Sequence, residues 1–392
     1  MSRAKRVSAT VAQLRLSAIK EMAILAAQKE DSVSLAWGLP SFRTPAHVRS
    51  AVSAALNDDP DIGKYALPSG LPEFRKQIAA HHLRDTDVEV DAERQVLVTS
   101  GNMQGMHSVL RALIDPGDEV IVTDPGFTSH LIQIRLHGGQ PVYWPLDETR
   151  DWQPDVNALA DLVTPRTCAI ILVNPSNPTG TLFTEQSLMT LGEFAREHEL
   201  FICIDDPYSC YVYDEGVSCF NLASRPEFAD NLAYLFTFSK IHAMSGWRVG
   251  YMIVPEWLRG EVVKVHDANM ICTPRISQVA GMAALTDQDS HMARFRNILA
   301  GRRELICERL DRVPHVFQYA HPDGAYYVFP RIVSKHADSW EFARRLLDTA
   351  GVSVTPGIAF GPQGEHHVRL AYCVDEDAIN LAFDRIETAF PA

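Results

Sequence analysis

The sequence predicts an α/β protein: a mostly parallel central sheet with helices on both faces, plus a smaller α+β domain from both chain ends. Three observations predict it. Six short apolar runs lack clean polar alternation, as strands covered on both faces do. Amphipathic helical patterns lie between several of them, the rhythm of parallel crossovers. Toward the end, short strand patterns surround one helix, which suits a second, smaller unit.

Taken in order, LRLSAIKEMAILAAQKE at 14–30 is helical and precedes the sheet. The strand candidates are QVLVTS (95–100), EVIVTDP (119–125), CAIILVNP (168–175), LFICIDDP (200–207), AYLFTFSK (233–240) and VGYMIVP (249–255). MHSVLRALI (106–114) and EQSLMTLGEFAREHEL (185–200) read as helices between them. AYYVFPRI, WEFARRLLDTAG, VSVTP and HHVRLAYC then build the smaller domain. The resulting division is 1–45 as an N-terminal segment joining the small domain, 46–285 as the large domain and 286–392 as the C-terminal small domain.

Composition bounds the function. At 392 residues and 46% apolar content the chain can bury a large core. A net charge of −13 disfavours nucleic-acid partners, and the basic RAKR near the start reads as a solvated tail. No apolar h-region follows that start, and no apolar run is long enough to span a bilayer. Seven cysteines without a CxxC spacing suit reduced thiols, hence a cytoplasmic protein. The pairs His81-His82 and His366-His367 are adjacent, so on a strand they face opposite ways, and no metal site is expected.

Chemistry collects where the strands end, the place where open α/β sheets bind ligands. There stand Ser100-Gly101-Asn102, Asp124-Pro125-Gly126-Phe127, NPSNPTG at 174–180, Asp205-Asp206-Pro207-Tyr208 and Ser239-Lys240. The SGN turn before a helix offers backbone N–H groups to a phosphate. Neither the dinucleotide nor the P-loop glycine signature is present. Each feature has a plain structural reading: Lys240 an exposed strand end, NPTG a turn, Arg248 and Arg369 surface ion pairs. Together they suit pyridoxal phosphate, whose aldehyde can form a Schiff base with a lysine and whose ring nitrogen can pair with a carboxylate.

SGNMQG, NPSNPTG, DDPY and SK-x₆-WRVGY resemble the class I/II aminotransferases of fold type I, from SLAWGLPSFRTP to HHVRLAYC. The resemblance implies Lys240 as Schiff-base lysine and proton carrier. It implies Asp205 at the ring nitrogen, Tyr208 and Asn177 at the ring oxygen, and Phe127 on the ring face. Gly101, Asn102, Met103, Thr237, Ser239 and Arg248 would surround the phosphate, with Tyr65 reaching it from the other subunit of a homodimer. Arg369 would grip the substrate α-carboxylate, with Trp37, Gly38 and Asn177 beside it. The X-Pro bonds at Asn177-Pro178 and Asp124-Pro125 would be cis. The implied reaction is ping-pong transfer of an amino group from an L-amino acid to a 2-oxo acid.

Alternatives on the same scaffold are a lyase, cyclase or racemase, or a non-catalytic ligand-sensing module. The side-chain pocket is expected near Trp37, Leu39 and Tyr326, while Arg275 would suit an acidic substrate or an interface ion pair. Asp206-Pro207, His242, and Asn102-Met103 depart from the family's common pattern. His242 and Met103 are therefore expected to alter the pocket's shape or polarity.

Overall fold

The computed structural model describes residues 7–333 and 338–391. The basic stretch 3–6 lies outside them. Eight strands order the first two-thirds: β1 (Val33–Ser34), β2 (Val96–Thr99), β3 (Glu119–Asp124), β4 (Gln140–Pro145), β5 (Thr167–Val173), β6 (Phe201–Asp206), β7 (Leu232–Thr237) and β8 (Gly250–Ile253). Seven of them form one sheet in the order β2-β8-β7-β6-β5-β3-β4. Every pairing from β7 to β4 is parallel, and only β8 runs antiparallel to its neighbours β2 and β7.

The six expected strands are all present; β4 was not expected. Proline stands near one end and at the other, and only Trp144 within it is buried. Both follow from its place at the sheet edge, where proline is tolerated because a missing N–H breaks no central ladder.

The inner strands β3, β6, β7 and β8 are buried at every position, and so is β2 at the sheet edge. Their two faces feed separate clusters. Ile121, Ile170, Ile202 and Tyr234 pack on one side; Val120, Ile171, Cys203 and Leu235 meet Met106, Val109 and Leu110 on the other. Those last three lie on one face of helix Asn102–Leu113 at the i, i+3, i+4 spacing.

A third cluster joins Met22, Leu35 and Ala36 to Leu299, Phe342, Val352 and Phe383, residues from the far end of the chain. β1 pairs in parallel with Val352–Ser353, which binds the two ends. No helix among the described residues is long and apolar enough to cross a membrane.

Asp124 ties this last region to the sheet. It ends β3, is 2% exposed, and its Oδ1 accepts the Gln363 backbone N–H at 3.0 Å. Gly361 makes the approach possible: at φ +126° a Cβ there would stand 2.2 Å from Asp124 Oδ1. Burial pushes the Asp124 carboxyl up to about 7. A carboxyl raised on folding loses stability as pH climbs from its unfolded value near 3.8 to about 7, then levels off.

Asp124→Asn keeps an acceptor for Gln363 and removes the ionisation. Relative to the parent, it should gain roughly 2–3 kcal/mol of stability between pH 5 and pH 8. Denaturant unfolding at the two pH values checks this. Parallel pH profiles would contradict it.

Candidate active site

A cavity of about 350 Å³ opens where β5, β6 and β7 end, roofed by the segment that follows β1. Lys240 enters it from a different local structure than expected. β7 stops at Thr237, and Phe238–Ile241 forms one helical turn, so Lys240 is not on a strand end. Thr237 starts that turn: its Oγ1 accepts the Ser239 N–H at 3.2 Å and its hydroxyl donates to Ser239 Oγ at 2.9 Å. This is ordinary N-cap chemistry.

Lys240 Nζ donates to the Gly38 carbonyl at 2.5 Å. Burial lowers its pKa to about 8, and the nearby Arg369 and Arg248 cations push the same way. Among the described residues no carboxylate pairs with it. A Cβ on Gly38 would fall 1.9 Å from Tyr327 Oη, so only glycine brings this carbonyl to the lysine.

Across the cavity, Asp205 ends the sheet at β6. Its Oδ1 accepts from Asn102 Nδ2 at 2.6 Å and its Oδ2 bonds His130 Nε2 at 3.1 Å. His130 is a buried residue the sequence reading missed. The neighbouring Asp206 faces away, accepting from Tyr234 Oη at 2.7 Å, while Pro207 lines the cavity. Tyr208 Oη lies 2.9 Å from Tyr327 Oη, and burial pushes the Tyr208 hydroxyl well above its ordinary pKa.

Arg369 is 1% exposed. It donates from Nη1 to Asn177 Oδ1 at 2.9 Å and from Nη2 to the Ala36 carbonyl at 2.6 Å, with Tyr327 stacked 4.3 Å below. No carboxylate among the described residues pairs with it, and its Nε has no partner. A buried guanidinium without a counter-ion is costly unless an anion arrives.

Arg248 sits at the other end. It donates from Nη1 to the Ser245 carbonyl at 2.9 Å and from Nη2 to the Ser100 carbonyl at 3.1 Å. It too lacks a described carboxylate. Beside it, Gly101 (φ +77°) turns the chain into helix Asn102–Leu113, whose N-terminus carries free N–H groups. A Cβ on Gly101 would meet Arg248 Nη2 at 2.6 Å. Gly101→Ala should therefore cost about 1–3 kcal/mol from backbone strain alone, read as a lower Tm. An unchanged Tm would contradict this account of the turn.

Of the expected residues, Met103, Phe127, Thr237, Ser239, Trp37 and Gly38 also line the cavity, and Gly101 adjoins it. Tyr65 does not; it is 76% exposed on the surface. Tyr326 is buried and donates to the Gly38 carbonyl at 3.3 Å, leaving Tyr327 to line the cavity in its place. Leu39 lies outside the lining.

Arg275 opens helix Arg275–Thr286 and pairs with Asp59 of the same chain at 3.5 Å, away from the cavity. His242 also turns away, its Nδ1 lying 2.8 Å from His291 Nε2, so it does not shape the pocket. Ile19 and Lys20 of the N-terminal helix line the mouth unexpectedly, with Lys20 Nζ 4.4 Å over the Trp37 ring. The Asp124-Pro125 and Asn177-Pro178 bonds are cis, as is Asn174-Pro175.

Comparison with known proteins agrees with this geometry. The family model for aminotransferase class I and II matches residues 30–386. An aspartate aminotransferase of Pyrococcus abyssi is 34% identical over 373 residues, 95% of either chain. Aromatic-amino-acid aminotransferase 2 of Thermococcus litoralis matches equally, at 34% and 95% of each. The structure of Thermus thermophilus aspartate aminotransferase with maleate superposes with a TM-score of 0.93 at 30% identity, covering 98% of this chain and all of that one. The chain belongs to the class I and II aminotransferases, and it is a pyridoxal-phosphate-dependent transaminase of fold type I.

Proposed function

We propose that this enzyme moves the α-amino group of an L-amino acid to a 2-oxo acid in two half-reactions at Lys240. The observation that carries the reading is the pair of basic groups, Lys240 and Arg369, lining one cavity, each without a carboxylate partner among the described residues. The residues present fit pyridoxal phosphate. Arg248, Ser239 and the N-terminus after Gly101 make an anion cradle; Gly101 is the glycine that keeps it open. Thr237, Met103 and the backbone of Asn102 would complete that end. Asp205 would hold the ring nitrogen, Phe127 the ring face, and Tyr208 with Asn177 the ring oxygen.

Bound pyridoxal phosphate supplies an electrophilic carbon and a ring that accepts the electron pair left at the substrate α-carbon. Everything else falls to the chain. Arg369 holds the α-carboxylate in its planar fork, beside Trp37 and Gly38. Lys240 must be neutral to take a proton, and its lowered pKa brings that form within reach near pH 8. Held against the Gly38 carbonyl, its amine can carry the proton from the α-carbon without leaving the site.

The lining by Trp37, Phe127, Tyr327, Ile19 and Met103 favours an apolar or aromatic side chain. A dicarboxylic amino acid is the second reading, favoured by Lys20, which has no described carboxylate partner at the mouth. We also infer a homodimer in the cytoplasm. Exposed Tyr65, absent from its own chain's cavity, supports a reach to the partner's site, and seven free cysteines suit a reducing compartment. The shared core of residues 22–36 and 295–386 supports the division at 1–45, 46–285 and 286–392.

The test is to mix holoenzyme with single amino acids, withholding any oxo acid. One equivalent of 2-oxo acid per site supports transamination, and the fastest amino acid names the side-chain class. Continuous release of ammonia would move the enzyme to the lyase reading.

A further inference from the structure

The Asn102 side chain is turned away from the phosphate turn in which its backbone stands. It is 8% exposed, and its Nδ2 donates twice: to Asp205 Oδ1 at 2.6 Å and to the Leu235 carbonyl at 3.1 Å. Both amide hydrogens are used, on a carboxylate and on a carbonyl of the adjacent strand. Flipping the amide would set its oxygen against two acceptors, so the orientation is fixed by chemistry.

The other half of the amide shows what this arrangement costs. Asn102 Oδ1 is buried and has no partner. A buried carbonyl oxygen left unpaired is unfavourable, and a glycine, alanine or serine in the same turn would avoid it. The space it occupies is left by Gly250, where a Cβ would stand 3.2 Å from Asn102 Oδ1. The unpaired oxygen is tolerated because the same amide makes a charge-assisted bond to Asp205. With His130 on Oδ2, the carboxylate is clamped on both oxygens by side chains from two different helices.

We propose that Asn102 is a positioning residue for Asp205, holding its carboxylate in the plane in which it meets the cofactor's ring nitrogen, and that its side chain takes no part in binding the phosphate. The proposal rests on the reading of Asp205 as the ring-nitrogen partner. A carboxylate has a broad terminal torsion; hydrogen bonds from two different helices narrow it before any ligand arrives. Preorganisation of this kind adds affinity by sparing the ordering cost at binding.

The test compares two ligands on the apoenzyme by fluorescence titration: pyridoxal phosphate, and the carbocyclic analogue in which the ring nitrogen is replaced by C–H. Both carry the same phosphate. Asn102→Ala should weaken pyridoxal phosphate by about 10- to 100-fold, the range of a charge-assisted hydrogen bond, and the analogue by less than about threefold. Asn102→Ser retains one donor and should show the same selective loss, smaller in size. It keeps the comparison available if the alanine variant folds poorly.

Equal losses for both ligands would place the role of Asn102 at the phosphate or in the fold and overturn the proposal. So would no loss for either. Failure of the underlying reading looks different: the unmodified enzyme would then bind the two ligands equally, which removes Asp205 from the ring nitrogen and Asn102 with it.

Discussion

Lys240→Ala abolishes turnover, by at least about 10⁴-fold, the upper end of what one positioned acid–base group contributes. The expectation follows from the surroundings of the amine. No other amine shares its position: the remaining cations of the cavity are guanidiniums, which do not give up protons near neutrality, and Lys20, which lies at the mouth against Trp37. Solvent or added amine can replace the lost group only poorly, because the Gly38 carbonyl no longer positions it. Cofactor binding should survive, since Arg248, Ser239, Asp205 and Asn177 are untouched. The assay is steady-state transamination with a parallel measurement of bound cofactor. Turnover within tenfold of the parent would remove Lys240 from the mechanism.

Arg369→Lys is the second large effect. Lysine keeps the charge but not the planar fork, and the parent guanidinium already serves Asn177 Oδ1 and the Ala36 carbonyl while facing the cavity. One ammonium, with its three donors on a single nitrogen, cannot reproduce the spread of the guanidinium that reaches both acceptors and a carboxylate's two oxygens. kcat/KM should fall by about 10²–10³-fold, matching the 2–5 kcal/mol typical of truncating one partner of a buried charge pair. The amino acid and the oxo acid both carry the α-carboxylate, so both half-reactions should suffer alike. A loss confined to one of them would mean that Arg369 serves a substrate side chain instead.

Much of this site was legible because strand ends concentrate it. Asp205, Asn177, Phe127 and the Gly101 turn stand where a parallel sheet must place its ligand, and order along the chain suffices to find them. Lys240 was legible as chemistry but not as structure. The Thr237-x-Ser239 spacing that starts its helical turn is a cap signal inside an apolar run, and the run itself reads as strand.

Other misses have physical causes of their own. Tyr326 and Tyr327 are adjacent, with ring centroids 4.8 Å apart and both rings against Tyr208, so only the local backbone decides which of them reaches the cavity. His130 stands six residues beyond Asp124, and only the geometry of helix Thr128–Leu136 brings it to Asp205. The Arg275–Asp59 pair spans 216 residues, a separation that no local pattern carries. Lys20 and Ile19 lie in a stretch correctly read as helix, but an amphipathic pattern does not say which cavity its residues will border.

The pairing of the first strand with the last part of the chain has a consequence for how this enzyme is made. Ala36 and Arg369, bonded in the finished site, are 333 residues apart. At translation rates of about 5–20 residues per second, the first waits roughly 15–70 s for the second. Throughout that interval the core that Leu35 and Ala36 enter is incomplete, because Val352, Leu370 and Phe383 are among the last of its residues to be synthesised. On the proposed role of Arg369, a nascent chain that already includes Lys240 still lacks its carboxylate grip, so it cannot yet consume amino acids from the pool that supplies its own synthesis.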